Sequence, residues 1–191
     1  MSDEVDDPEL TAIHEAGHVV LQELYFPGEN YEVDIVGLKG LANGKTTPPL
    51  HGWRPRITQE DKERDLLKTL GGIVSESIEI GVEWHNVTGA EKDLEAACVA
   101  LAMLKFERGK GGNADRIRSC LADRQTQLAS YYNSAKSVLL RNWGQVTKAA
   151  ESLLSKNRLT GDDVEGNPQQ QRCWQHRPRV IYERRTKAAP R

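Results

Sequence analysis

The stretch Ala12-Ile13-His14-Glu15-Ala16-Gly17-His18-Val19-Val20 constrains this chain most, because it sets three chemistry-bearing side chains inside an apolar helical repeat. Leu10, Ile13, Gly17, Val20, Leu21 and Leu24 recur at helical spacing, which predicts an amphipathic helix. Asp7-Pro8 supplies its start, a capping residue followed by proline at the first helical position. Pro27-Gly28 supplies its stop. The helix is therefore expected over residues 8–25. Residues four apart on a helix share a face, so His14 and His18 can offer two imidazoles to one ion. Glu15 lies three positions before His18 and can reach a water on that ion.

This H-E-x-x-H pattern points to a catalytic zinc, which takes three protein ligands and keeps one position for water. Zinc lowers the pKa of that water to roughly 7, and Glu15 is expected to accept its proton. Two histidines leave the third ligand open. The extended form of the motif is absent, because Leu21 and Leu24 stand where it needs glycine and histidine. The other histidines are His51, His85 and His176, and the candidate carboxylates include Glu76, Glu79, Asp93 and Glu95. Spacing does not choose among them. Asp93 would sit one turn inside a capped helix, a rigid place for a ligand.

The rest of the chain reads as a setting for this helix. Its 191 residues suit one domain with short tails, enough to bury a core without staples. A formal net charge of −2 gives the chain as a whole no footprint of a nucleic-acid or membrane binder. Cys98, Cys120 and Cys173 are widely spaced and form no C-x-x-C. Neither a disulfide framework nor a cysteine zinc site is expected, and Cys98 reads as a small core hydrophobe. The acidic start, MSDEVDDPEL, lacks the regions of a secretory signal. No apolar run approaches the roughly 20 residues of a membrane helix. A reducing cytoplasm is the expected compartment.

Tyr31 to Val36 alternates like a strand. A Gly- and Pro-rich stretch follows from Gly37 to Pro55, with a second short strand expected near Thr46-Thr47. Thr58 and Asp61 resemble a capping box and open a helix striped by Leu66, Leu67, Leu70, Val74 and Ile78. Gly71-Gly72 interrupts it. Each mid-helix glycine costs about 1 kcal/mol against alanine, so the pair implies close packing on another helix, a bend or a plain break. Thr88 and Glu91 form a capping box for a third helix over 89–106. A turn at Lys110–Asn113, helices near 115–128 and 131–155, and a closing turn at Leu159–Val164 complete the body. Beyond Gly166 the chain is rich in Gln, Pro and Arg. Arg172 to Arg191 carry seven Lys/Arg and one Glu, the composition of a solvating tail; Trp174 and Tyr182 are candidate anchors for a partner.

Four blocks together resemble the peptidase domain of FtsH-type ATP-dependent zinc metalloproteases. The first is the His14–His18 helix. The second, Leu70-Gly71-Gly72-Ile73-Val74-Ser75-Glu76, looks like that family's L-G-G-R-A-A-E. The third, Thr88-Gly89-Ala90-Glu91-Lys92-Asp93-Leu94-Glu95, is similar to its T-G-A-x-x-D-L-E. The fourth, Ala135 to Leu154 and then Leu159 to Val164, resembles its C-terminal helix and ending. The resemblance implies that Asp93 completes the site with His14 and His18, holding one Zn²⁺ per chain, with Glu15 as the catalytic base. Glu76 is a candidate to orient a ligating histidine.

The implied fold is α+β and predominantly α-helical: a zincin-like metal helix, a small β element and a C-terminal helical bundle. Its expected limits are an acidic tail at 1–7, the peptidase domain at 8–165 and a basic tail at 166–191. The chain departs from the family at Ile73, where an arginine is usual, and at Ser75 and Ser77. It also lacks a G-x-x-x-x-G-K-[ST] phosphate loop. The expected function is therefore a zinc-dependent, ATP-independent endopeptidase acting on flexible or unfolded polypeptides. The alternatives are a non-catalytic binding or regulatory protein on this scaffold, or a protease subunit that borrows a separate ATPase. The expected partners are the peptide substrate and either a homo-oligomer or that ATPase, with no nucleic-acid or membrane partner. A short strand between Val33 and Thr47 is expected to bind the peptide by strand addition.

Overall fold

The computed structural model describes residues 7–27, 32–34, 58–87, 91–104 and 113–160. In chain order these form α1 (Pro8–Tyr25), β1 (Glu32–Asp34), α2 (Gln59–Thr69), α3 (Gly71–Ile80), a 3-10 turn (Trp84–Asn86), α4 (Glu91–Leu104), α5 (Asn113–Ala122), α6 (Arg124–Arg141), α7 (Trp143–Lys156) and β2 (Arg158–Thr160). The described residues are predominantly helical. Both expected tails, apart from Asp7, lie outside them. So do the Gly37–Pro55 stretch, the strand expected near Thr46-Thr47, and the Thr88-Gly89-Ala90 start of the third block.

α1 starts where the Asp-Pro signal puts it. Asp7 Oδ1 accepts the backbone N–H of Glu9 at 2.9 Å and of Leu10 at 3.4 Å, satisfying donors that a helix start leaves without partners. Ala12, Ala16, Val19, Val20 and Leu21 are fully buried, and the helix packs chiefly on α3 and α7. The His14–His18 motif therefore lies on a core helix.

The Gly-Gly pair does two of the things its cost implied. α2 ends at Leu70, yet Leu70 stays in the right-handed region and still bonds Leu66 O, while Val74 bonds Leu70 O. The result is a break between two helices that keep helical bonding through the joint. It also brings α3 onto α1 with almost no space between backbones: a Cβ on Gly71 would lie 2.7 Å from Gly17 O, and a Cβ on Gly17 would collide with Ser75 Oγ and the Gly71 carbonyl. Ser75 Oγ, 2.9 Å from Ile13 O, ties the two helices at the same level.

Three expectations need correction. The later helices do not divide near residue 130. They break at Asp123 and at Asn142, where Asn142 Nδ2 donates to Val138 O at 2.7 Å. At Asn142 this local side-chain bond competes with the helix ladder, whereas Asp123 makes no side-chain cap bond. Leu159-Thr160 is strand rather than turn. Asn157, at φ 56°, turns the chain out of α7, and β2 pairs antiparallel with β1 so that buried Leu159 sits opposite buried Val33. The remainder of that block lies outside the described residues.

The third correction concerns cysteine. Cys98 is buried as expected, but it is joined to Cys120 by a disulfide with Cα atoms 5.5 Å apart. Two adjacent helices each turn one cysteine inward, a pairing that sequence spacing does not reveal. Among the described residues no helix is long and apolar enough to cross a membrane.

Candidate metal centre

α1 presents His14 and His18 one turn apart, and the start of α4 brings Asp93 against them. His14 Nε2 and His18 Nε2 lie 3.2 Å apart. Asp93 Oδ2 lies 2.7 Å from His14 Nε2 and 3.3 Å from His18 Nε2. A tetrahedral zinc with bonds of roughly 2.0–2.1 Å holds its ligand atoms about 3.3 Å apart. Two of the three separations match that spacing, and the third needs a small outward shift. Two imidazoles and one carboxylate are also a donor set that zinc accepts. Among the described residues, His14, His18 and Asp93 are the one group of histidine, cysteine or acidic side chains arranged this way.

Each histidine is fixed from behind. His14 Nδ1 lies 2.5 Å from Glu76 Oε1, and His18 Nδ1 donates to the carbonyl of Lys68 at 2.9 Å. With both Nδ1 atoms engaged by α3 and α2, both Nε2 atoms face the same point; this is how metal-binding histidines are commonly oriented. Gly72 makes room for the arrangement, because a Cβ there would collide with His14 Nε2.

The charges follow from this geometry. Burial works against a charged His14, but the hydrogen bonds to Asp93 and Glu76 outweigh it, and its pKa is pushed up to about 10. Burial likewise disfavours a charged Asp93, yet the two histidines hold its carboxyl well below the usual carboxylate range. A protonated His14 donates Nδ1–H to Glu76 and Nε2–H to Asp93, and the Nε2 proton occupies the place that a cation would take. Glu15 behaves differently. Burial pushes its pKa up, while His18 and His14 oppose the rise. Its side chain is 8% exposed and has no hydrogen-bond partner among the described residues.

The structure thus brings together His14, Glu15, His18, Asp93 and Glu76. It does not bring in Glu79 or Glu95, which are exposed, or His85, an exposed residue whose Nδ1 lies 3.4 Å from Gln125. His51 and His176 lie outside the described residues. Sequence reasoning missed the Lys68 carbonyl, which carries no side-chain signature. It also missed that Gly72 faces His14, although the glycine pair already demanded a close approach.

No protein-family model matches the sequence. Among curated proteins, the chain is similar to ATP-dependent zinc metalloprotease FtsH 1 of Thermoanaerobacter sp. (strain X514), at 26% identity over 187 residues. That alignment covers 83% of this chain and 30% of that protein. FtsH 2 of the same strain is 26% identical over 165 residues, covering 82% of this chain and 32% of that protein. The ATP-dependent zinc metalloprotease FtsH of Caldicellulosiruptor bescii is 26% identical over 188 residues, covering 82% and 29%. The chain spans about a third of the length of these relatives. The likeness supports a relationship to FtsH zinc metalloproteases.

Proposed function

We propose that this chain is a zinc-dependent, zincin-like endopeptidase that hydrolyses flexible or unfolded polypeptides, with His14, His18 and Asp93 as metal ligands and Glu15 as general base. The observation that carries this reading is Glu15: a buried carboxylate beside three converging ligand atoms, with no hydrogen-bond partner among the described residues. A metal that served only to hold the fold would need no such group, and a buried polar side chain without a partner calls for a functional explanation. Zinc held there would polarise a scissile carbonyl and acidify a water molecule.

The protein's own part is positional and protonic. Glu76 and the Lys68 carbonyl aim the two imidazoles through their Nδ1 atoms. Glu15, whose pKa burial raises, takes the proton of the attacking water at its carboxylate. It then returns that proton to the departing amine. Nothing in this sequence of steps draws on a nucleotide, so the reading includes hydrolysis without ATP. A substrate must then arrive already unfolded, or be delivered by a separate unfoldase.

The test is digestion of unfolded casein by the purified, zinc-loaded chain without ATP. Cleavage that stops with a chelator and returns with zinc supports the proposal. Bound zinc with no cleavage of casein or short peptides overturns it in favour of a binding or regulatory role, and cleavage only after adding an unfoldase favours the subunit reading.

A further inference from the structure

The two halves of the metal centre rest on different supports. His14 and His18 belong to α1, which packs chiefly on α3 and α7. Asp93 belongs to α4, which packs chiefly on α2 and α5. The α2 support includes two side-chain bonds to the end of α4: Gln59 Nε2 donates to Leu104 O at 2.8 Å and Lys62 Nζ to Met103 O at 3.5 Å. The α5 support is of another kind. Of the side chains described in α5, Cys120 alone is buried; Arg116 and Ile117 are half covered and the rest are exposed. α5 also touches α6, but its inward anchor is the bond from Cys120 to Cys98, five residues beyond Asp93 on α4.

We propose that Cys98–Cys120 is a redox clasp on the Asp93 half of the centre: reduction frees α5 from α4 and loosens the third ligand, while the His14–His18 half stays folded. In the step, a dithiol reductant gives up two electrons and two protons and becomes a disulfide; the Cys98–Cys120 bond breaks and both sulfurs leave as thiols. Cys98 is 0% and Cys120 3% exposed, so exchange runs through local opening of α5. A ten-residue helix whose one fully buried side chain among those described is Cys120 is poorly stable by itself, which makes that opening accessible. The clasp bears on metal retention only if the centre holds metal, so this part rests on the function proposed above.

The experiment uses the full chain carrying Cys173→Ser, compared oxidised and after reduction by a phosphine, which competes for zinc less than thiols do. Hydrogen exchange and the rate of zinc loss to a chromogenic chelator are read on both forms, with Cys98→Ala/Cys120→Ala as the permanently open form. Faster exchange in α5 with unchanged exchange in α1 and α3 is expected on reduction. Zinc loss should accelerate about tenfold, the lower range for losing a ligand's supporting contacts. The double variant should match the reduced protein whatever the redox state.

Equal exchange of α5 in both forms overturns the clasp, as do two free thiols in the oxidised protein. Opening of α1 together with α5 overturns it too, since the bond would then merely stabilise the whole fold. An unchanged rate of zinc loss removes the link to Asp93. If neither form takes up zinc, the proposed function fails, and exchange in α5 still decides whether the clasp exists.

Discussion

His14 and Glu76 meet Nδ1 to Oε1 at 2.5 Å, across 62 positions of sequence. The contact couples α3 to α1 and turns His14 Nε2 toward Asp93. Glu76→Gln keeps a side chain of similar size but removes the charge that holds the ring. It is expected to weaken zinc affinity about 10–100-fold, the usual cost of losing such a partner, with the fold intact. Chelator competition measures this, with circular dichroism as the control; unchanged affinity would show that Glu76 does not orient the ring.

Two glycines separate packing from metal binding. Gly17→Ala forces a methyl between Ser75 and the Gly71 carbonyl. It should lower stability by about 1–3 kcal/mol, the range for overpacking a filled core, as read by denaturant unfolding. Gly72→Ala drives its methyl into the His14 ring and should reduce zinc uptake more than the stability loss accounts for. Equal zinc occupancy in the two variants at matched folded fractions would remove the special role of Gly72.

How much of this was legible beforehand differs by element. α1 could be read to its ends, because cap, proline, apolar stripe and breaker all agreed. The capping box of α2, with Thr58 accepting from Asp61 N–H and Asp61 from Thr58 N–H, was equally legible. The partner of Cys98 was not, because it depends on how two helices face each other. Nor was the strand role of Leu159, which exists only because Val33 lies opposite. In the site, His14, Glu15 and His18 stood out by spacing within one helix. Asp93 came from family resemblance, since nothing local distinguishes it from Glu95. The Lys68 carbonyl is backbone chemistry that no side-chain pattern encodes.

Zinc uptake should be coupled to protons. In the metal-free protein, the His14 pKa is raised from 6.5 to about 10. Its contribution to stability is complete below pH 6.5 and is lost as pH rises toward 10. Asp93 has the opposite shift, so its contribution is present above the ordinary aspartate value of 3.8 and lost as pH falls below it. Metal must displace the His14 proton, so binding tightens as pH rises. The stabilisation added by zinc should therefore grow between pH 6 and 9, and calorimetry near pH 7.5 in buffers of differing ionisation enthalpy should show proton release. A zinc increment that is flat with pH would contradict the His14 assignment.

Asp93→Ala leaves the two histidines and removes the proposed carboxylate ligand. Zinc content by elemental analysis should fall from about one per chain to a small fraction after dialysis, a structural zinc or catalytic zinc each needing at least three protein ligands. Full retention would place the third ligand elsewhere.

The central claim is that Glu15 moves the proton in a zinc-dependent hydrolysis. Its most direct test is Glu15→Gln, assayed for zinc content and for cleavage of an unfolded substrate beside the unaltered protein. The expected result is full zinc with cleavage lowered by at least about 100-fold, the lower range for a lost general base. Cleavage at the unaltered rate by the zinc-loaded variant would contradict it.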